Sequence, residues 1–432
     1  MPQNRFEQAL ATLQSLILTT ARPYQSRAAT ALHAIRALLR GLDNPHRGYP
    51  IIHITGSKGK GSTALLLEQL LSAAGYRVGV FSSPHLQHWT ERFRIAGQAI
   101  SETRFAELME AIAPGIEALR SANPYDPPTF FDALTAMALL LFQQEQVDYA
   151  IVEVGLGGRL DASNIVEPVV CCITSIELEH TDKLGPTLLD IAREKAGIIK
   201  PGASVVCGPL PPAAQALIDA RAATFQVPVQ RYGRDFNIQA GPDGLLYQGL
   251  GIQQTIRFPL SAAQHQLNAA LAISCALSLP PRPPPQLLGV LSHALATAHL
   301  PGRCELLSRQ PWIVIDGAHT TDSAAALRHF VNSLPCRRVH WLLSFTSGKQ
   351  PQSIVDALYR PGDRITLTQA DPTRSQSAAP VTTLLSQHLG LAVEAIADPR
   401  QAVLRCRASL ADDELLCVSG SVYLAGLARS LL

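Results

Sequence analysis

The sequence predicts a two-domain α/β protein: a larger first domain on a mostly parallel sheet, then a smaller Rossmann-like domain. Three observations predict it. First, IIHIT at 51–55 enters a glycine turn, the helical STALLLEQLLSAAGY and the strand RVGVFSS, which is the order of a βαβ unit. Second, VDYAIVEVG at 147–155 and VVCCITSI at 169–176 are short apolar runs rich in β-branched residues, as in parallel strands buried on both faces. Third, an α/β alternation begins again after residue 300.

The elements follow in chain order. Residues 4–18 read as an amphipathic helix, and RAATALHAIRALLRGL as a second, punctuated by Asn44-Pro45. PPTFFDALTAMALLLFQQ reads as a long helix entering the core. Glycines and alternating runs such as GLLYQGLGIQQTIRFPL suggest hairpins across 202–260. A helix is expected at 263–278, then the Pro-rich LPPRPPPQ, which resists regular structure, then a helical LLGVLSHALAT. The boundary is placed at His299-Leu300-Pro301-Gly302, giving domains 1–299 and 300–432. In the second, WIVIDGAH, a helix at 322–333, RVHWLLSF, a helix at 351–358 and DRITLTQA alternate; TTLLSQHLG and ELLCVSGSVYLAGLARSLL close it. At 432 residues the chain exceeds the roughly 250–300 over which one core keeps growing, so two domains are the default.

Lys plus Arg number 36 against 34 Asp plus Glu, a net charge of +2, which gives no nucleic-acid or membrane footprint. The eight cysteines show no Cys-x-x-Cys pair or zinc spacing and read as reduced structural thiols. MPQNRFEQALATLQSL lacks the basic-then-apolar pattern of a leader, and no run approaches the ~18 apolar residues of a membrane span. A cytoplasmic location is the expectation.

Thr55–Thr63 is the most informative stretch. Gly56, Gly59 and Gly61 permit a tight path whose amides, with the following helix N-terminus, point at anionic oxygens. Lys60 can place its charge by β- and γ-phosphates, and Ser62 or Thr63 can approach magnesium. Because Gly61 separates Lys60 from Ser62, this is not a strict GxxxxGK[ST] loop. The competing reading is a glycine-rich structural turn with surface lysines.

Glu153 ends YAIVEV, where a parallel sheet places functional carboxylates, and His180 lies in the polar turn ELEHTDKLG. A carboxylate and a histidine there suit magnesium or its water shell; a salt-bridged sheet-edge Glu and a loop-capping imidazole are the alternatives. Glu179 and Asp182 are candidates to brace those ligands, or are solvated helix-start carboxylates. Arg303 follows the boundary, where domain closure would bring its guanidinium to phosphate. Phe130 and Phe131 can stack on a flat heterocycle or fill core, and Arg92 can steer a substrate carboxylate or be an ordinary surface residue.

From about residue 4 to the end, the chain resembles the folylpolyglutamate synthase/dihydrofolate synthase family of the Mur ligase superfamily. The resemblance rests on the joint order of LDNPHRGYPIIHITGSKGKGST, FSSPHLQHWTERFRI, PPTFFDALT, VEVGLGGRLDASNIV, EHTDKLGPTLLDIAREKAGIIK, HQLNAALAI, PGRCE and IDGAHT. It implies a Mur-ligase-like P-loop ATPase domain followed by a smaller C-terminal α/β domain contributing to nucleotide and amino-acid binding. It also implies an ATP-dependent ligase that activates a carboxylate as an acyl phosphate. The substrates it implies are glutamate with dihydropteroate or the glutamyl tail of a folate.

By the same resemblance Ser83, Glu153 and His180 form the magnesium site, and Lys195 carries a carbamate. Asn268, Arg303, Asp316 and His319 serve the nucleotide beside the phosphate loop. Ser82, Pro84, His85, Phe130 and Phe131 fall on the pterin-binding surfaces. A monomer is expected.

The chain departs from the family pattern at several of these places. Ser57-Lys58 stands where Thr-Asn is common, Ser175 for Asn, Glu179 for Asp, and Thr320 for the Asn of DGAHN; TSGKQ at 346–350 lacks the DKD carboxylates. Folate-pathway ligation therefore competes with another Mur-like amide ligase using a different acid or amino acid, and with a noncatalytic nucleotide-responsive binding protein.

Overall fold

The short strands of the first domain are too apolar to face water on either side, so they line up in the middle of a layered unit. The computed structural model describes residues 2–17, 30–123, 126–280 and 284–432. The strands are β1 (Ile51–Thr55), β2 (Val78–Phe81), β3 (Phe93–Ile95), β4 (Gln98–Ala99), β5 (Tyr149–Glu153), β6 (Val170–Ile173), β7 (Ser204–Cys207) and β8 (Val229–Arg231). Their order is β4-β3-β2-β5-β1-β6-β7-β8. From β2 to β8 every pairing is parallel, and β3 and β4 add an antiparallel edge.

Helices cover both faces. Phe130–Gln144 opens with a capping box, in which the Thr129 hydroxyl accepts the Asp132 N–H and the Asp132 carboxylate accepts the Thr129 N–H. Residues 132–142 of that helix are all buried. They share a core with Phe6 and Leu13 of Pro2–Ser15, Ile35 and Leu38 of His33–Arg40, and Phe105 and Ile112 of Glu102–Ala122. On the other face Leu188–Ala196 and Pro212–Thr224 bury Ile191 and Ile218. The parallel arrangement has one functional consequence. The loops leaving the C-terminal ends of β1, β2, β5 and β6 emerge along the same edge.

Several elements differ from expectation. The first two helices are Pro2–Ser15 and His33–Arg40; residue 18 of the first expected helix and 27–29 of the second lie outside the described residues, as do 281–283 of the Pro-rich segment. The 21-residue helix Glu102–Ala122 escapes the periodicity because Pro114 sits in its interior. Across 202–260 the hairpins begin only at β9 (Phe236–Gly241), β10 (Gly244–Gly249) and β11 (Ile252–Ile256), an antiparallel meander. Before them the strand–helix–strand β7, Pro212–Thr224, β8 continues the large sheet; four-residue SVVC followed by prolines hides it. The helix expected at LLGVLSHALAT is α-helical only over Pro285–Val290 and continues as turns.

The chain divides into two compact units. The second holds His299–Leu432 together with Leu86–His88 and Ser261–Gln264. Its strands are β12 (Glu305–Arg309), β13 (Trp312–Ile315), β14 (Arg338–Leu343), β15 (Arg364–Leu367), β16 (Glu394–Ala395) and β17 (Glu414–Ser419), in the order β12-β13-β17-β14-β15-β16. All pairings are parallel except β12 with β13. Thr321–Asn332 and Pro351–Leu358 pack on one face around Trp341, and Val422–Leu431 on the other.

Candidate active site

The phosphate loop leaves the buried strand β1 and ends at Gly59, whose φ of 83° is left-handed and which caps the helix Lys60–Ala73. The left-handed backbone favours glycine, and a Cβ on Gly59 would lie 2.4 Å from Asn268 Oδ1 and displace that side chain. Asn268, from Ala263–Leu277, accepts the Thr63 hydroxyl proton at 3.4 Å, and Ser62 and Thr63 are buried in the first turn. The loop is latched to the one after β6. Ser175 Oγ accepts the Lys58 N–H at 2.9 Å, the Thr174 hydroxyl donates to the Lys58 carbonyl, and Ser57 Oγ accepts the Glu177 N–H at 2.9 Å. Lys60 Nζ turns back over the loop and donates to the Gly56 carbonyl at 2.8 Å. Its charge thus stands beside the loop amides, where phosphate oxygens would lie.

Glu153 sits at the C-terminal end of β5, 3% exposed, and its Oε2 accepts the Ser83 N–H at 3.1 Å. A Cβ on Gly61 would come within 3.4 Å of the same oxygen. The missing side chain therefore leaves room between the phosphate-loop helix and the carboxylate. The buried carboxylate, with Ser83 bonded to it through its N–H and carrying a hydroxyl, supplies hard oxygen donors, the chemistry magnesium prefers, so these residues fit the ion. His180 is exposed, with φ 47°, and caps the short helix Thr181–Leu184 directly after Glu179.

Lys195, in the helix Leu188–Ala196, is 1% exposed, with its Nζ 3.2 Å from Glu179 Oε1. Burial, with the Lys60 charge adding to it and Glu179 opposing, pulls its pKa down to about 8. Burial pushes Glu179 upward, but Lys195, Lys60 and Lys58 outweigh it and hold the carboxyl below its ordinary value. Lys60, Lys195 and Glu179 thus form one electrostatic group.

Beside it the loop after β2 carries Ser82, Ser83, the exposed Pro84 behind a cis peptide, and His85. Arg92, 8% exposed, donates from Nε to His85 Nδ1 at 3.0 Å. Its guanidinium lies 5.1 Å from the Trp89 ring centre and 6.0 Å from that of Phe130. Phe131 instead packs against Phe81 and the face of Gly155. Trp89, which sequence reasoning passed over, is the hub: its ring meets His85 at 4.6 Å and Phe130 at 5.9 Å. An aromatic three residues before an arginine was the signal available. Asp161 was also missed. Its carboxylate accepts the Leu156 N–H and the Ser163 N–H and hydroxyl, folding back the loop that follows Glu153.

In the second unit Asp316 follows β13 and accepts the Cys304 N–H at 2.7 Å and the Ala318 N–H at 2.6 Å. It braces the turn that carries Arg303 and His319. Arg303 Nη1 donates to the Gly302 carbonyl at 3.0 Å, and His319 Nδ1 lies 2.9 Å from the Gly317 carbonyl. Thr320 caps Thr321–Asn332 through a capping box with Ser323.

The glycine-rich loop with Lys60, the buried carboxylate of Glu153 and the buried amine of Lys195 thus lie near one another in the first unit. Residues 54–276 match the Mur ligase middle domain, and 305–428 match the dihydrofolate synthetase C-terminal domain. The folylpolyglutamate synthase of Lacticaseibacillus casei is 32% identical over 409 residues, 92% of this chain and 93% of that protein. The chain belongs to the folylpolyglutamate synthase/dihydrofolate synthase family of the Mur ligase superfamily. As a member it is an ATP-dependent carboxylate–amine ligase.

The dihydrofolate synthase/folylpolyglutamate synthase of Mycobacterium tuberculosis is 31% identical over 442 residues, 94% of this chain and 91% of that protein. A probable bifunctional folylpolyglutamate synthase/dihydropteroate synthase of Haloferax volcanii is 30% identical; the chain spans 49% of its length. Among solved structures, the Mycobacterium tuberculosis folylpolyglutamate synthase complexed with ADP superposes with a TM-score of 0.90 at 29% identity, over 100% of this chain and 99% of that one. A folylpolyglutamate synthase–AMPPCP–folate complex gives 0.82 at 28% identity, over 99% of each chain. Among the described residues no helix is long and apolar enough to cross a membrane.

Proposed function

We propose that this family member uses ATP and magnesium to join glutamate to dihydropteroate, to the glutamyl tail of a folate, or to both. The reading is carried by one juxtaposition: the glycine-rich loop bearing Lys60 lies against the buried carboxylate of Glu153 at Gly61. Lys60 and the amides of 56–61 hold the phosphates, with Asn268 fixing the loop. Arg303, Asp316 and His319 are further candidates for binding nucleotide. Ser83, Glu153 and His180 would hold magnesium, which when bound neutralises charge on the transferring phosphoryl group. Ser82, Pro84, His85, Arg92, Phe130 and Phe131 are the surface for the aromatic acid.

The acid's carboxylate oxygen attacks the γ-phosphorus, the bond to the bridging oxygen breaks, and ADP leaves with that electron pair. The product is an acyl phosphate. The unprotonated amine of glutamate then attacks its carbonyl carbon; the tetrahedral intermediate expels phosphate, and one proton leaves the nitrogen. No protein nucleophile is required. Lys195 serves as a carbamate, formed when its neutral amine attacks CO2 and releases a proton; the lowered pKa supports this by supplying neutral amine. The enzyme works as a cytoplasmic monomer.

The test is a ligation assay with mass detection of products, offering dihydropteroate, reduced folates, glutamate and other amino acids with ATP and magnesium. A glutamyl amide that appears with ADP supports the reading. An amide from a different acid or amine would make the chain another Mur-like ligase, and nucleotide binding without acid-dependent ADP release would make it a binding protein.

A further inference from the structure

The loop 155–164 leaves Glu153 on the way to β6, and it is bonded at both ends to elements that are part of the site. At one end it is tied to β1. The Thr55 hydroxyl donates to the Gly157 carbonyl at 2.7 Å, and His53 Nε2 lies 2.9 Å from Ser163 Oγ. Ser163 spends its hydroxyl proton on Asp161 Oδ1 at 2.5 Å, so His53 must be the donor in its own contact, and the chain of protons runs one way. His53 and Ser163 are fully buried.

At the other end the loop grips the helix that carries Lys195. The Arg159 N–H donates to the Glu194 carbonyl at 2.8 Å, and its Nε and Nη2 donate to Glu194 Oε1 at 3.0 and 2.6 Å. Asn164 Nδ2 reaches the Arg159 and Gly197 carbonyls at 3.1 and 3.2 Å. No slack remains: a Cβ on Gly158 would stand 2.8 Å from the Glu194 carbonyl, and one on Gly197 would stand 2.5 Å from Arg159 Cβ.

We infer that the loop 155–164 is a rigid strut fixing the helix of Lys195 against the strand ends that present Lys60 and Glu153, and that Arg159 is a positioning residue at its far end. The inference rests on the proposed reading, in which Lys195 and Glu153 serve one phosphate centre. Arg159 bonds Glu194, the neighbour of Lys195 in its helix, and acts through it. Displacement of a few tenths of an ångström to one ångström at a phosphoryl-transfer centre lowers the rate of the chemical step.

The experiment compares the full-length parent with Arg159→Met, Arg159→Lys, Ser163→Ala and the double variant Arg159→Met/Ser163→Ala, measuring acid-dependent ADP release and Tm. Arg159→Met is expected to lower kcat about tenfold with the KM for ATP within about twofold, and Arg159→Lys to recover part of the loss. The double variant should lose little more than the worse single one, because either break uncouples the same strut. A folded Arg159→Met enzyme with parental kcat, or single losses that multiply in the double variant, overturns the inference. If Arg159→Met does not fold, Arg159→Lys and Ser163→Ala carry the same comparison. A parent that releases no ADP with any acid instead defeats the proposed function, so the two failures are separate.

Discussion

Raising the pH from 7 to 8 at fixed dissolved CO2 should raise the initial rate of carbamate formation on Lys195 roughly fivefold. Only the neutral amine attacks CO2. With its pKa pulled to about 8 by burial and by Lys60, roughly one Lys195 in ten is neutral at pH 7 and about half at pH 8. An ordinary lysine at 10.5 would offer about one in three thousand at pH 7. The same shift has a stability signature. The folded pKa lies below the unfolded one, so the unfolded chain holds the extra proton between pH 8 and 10.5 and stability rises across that window. Below pH 8 the burden is about 3 kcal/mol. The assay is 13C NMR of the folded protein under labelled CO2, with acid-dependent ADP release measured on the same samples. The initial rate of carbamate formation should climb between pH 7 and 8 and level off near pH 9, and Lys195→Arg should show no carbamate. Fully active protein with Lys195 unmodified throughout that range would refute the reasoning.

Lys60→Ala should lower kcat/KM for ATP on the order of a hundredfold, because the loop loses the cation that turns back over its amides; near-normal turnover at saturating ATP would count against the role. Glu153→Ala should shift the magnesium titration to higher concentration and lower kcat, and an unchanged titration curve would remove Glu153 from the ion's site. Gly59→Ala places a Cβ in left-handed backbone, costing about 1–2 kcal/mol, and drives it against Asn268. It should weaken ATP binding by calorimetry while leaving binding of the acid unchanged; parental ATP affinity would show that the loop relaxes freely.

Much of this was legible because periodicity and glycine placement act locally. IIHIT and YAIVE are too apolar for anything but buried strands, and a glycine turn between strand and helix needs no distant partner to be read. What escaped depends on contacts between residues far apart in sequence. Trp89 becomes significant only when Phe130 and His85 arrive beside it. The Lys195–Glu179 pair spans a turn and a short helix, with no spacing that announces it. SVVC was missed as a strand because four residues carry too little pattern until β6 and β8 pair with it. Ser57 and Glu177 likewise latch two loops whose relation is set by the neighbouring strands β1 and β6.

That latch also gives a physical account of the family departures around the phosphate loop. Ser57 and Lys58 lie after β1, Ser175 and Glu179 after β6, and the two loops touch through these residues. Ser175 Oγ takes the Lys58 N–H, Ser57 Oγ takes the Glu177 N–H, and the added charge of Lys58 helps keep Glu179 ionised. These positions thus meet at one contact, beside which Gly59, Lys60, Gly61 and Glu153 stand together. Restoring one member alone, as in Lys58→Asn, should therefore disturb the loop more than restoring Lys58→Asn and Ser175→Asn together. ATP affinities that fall equally in both would break that argument.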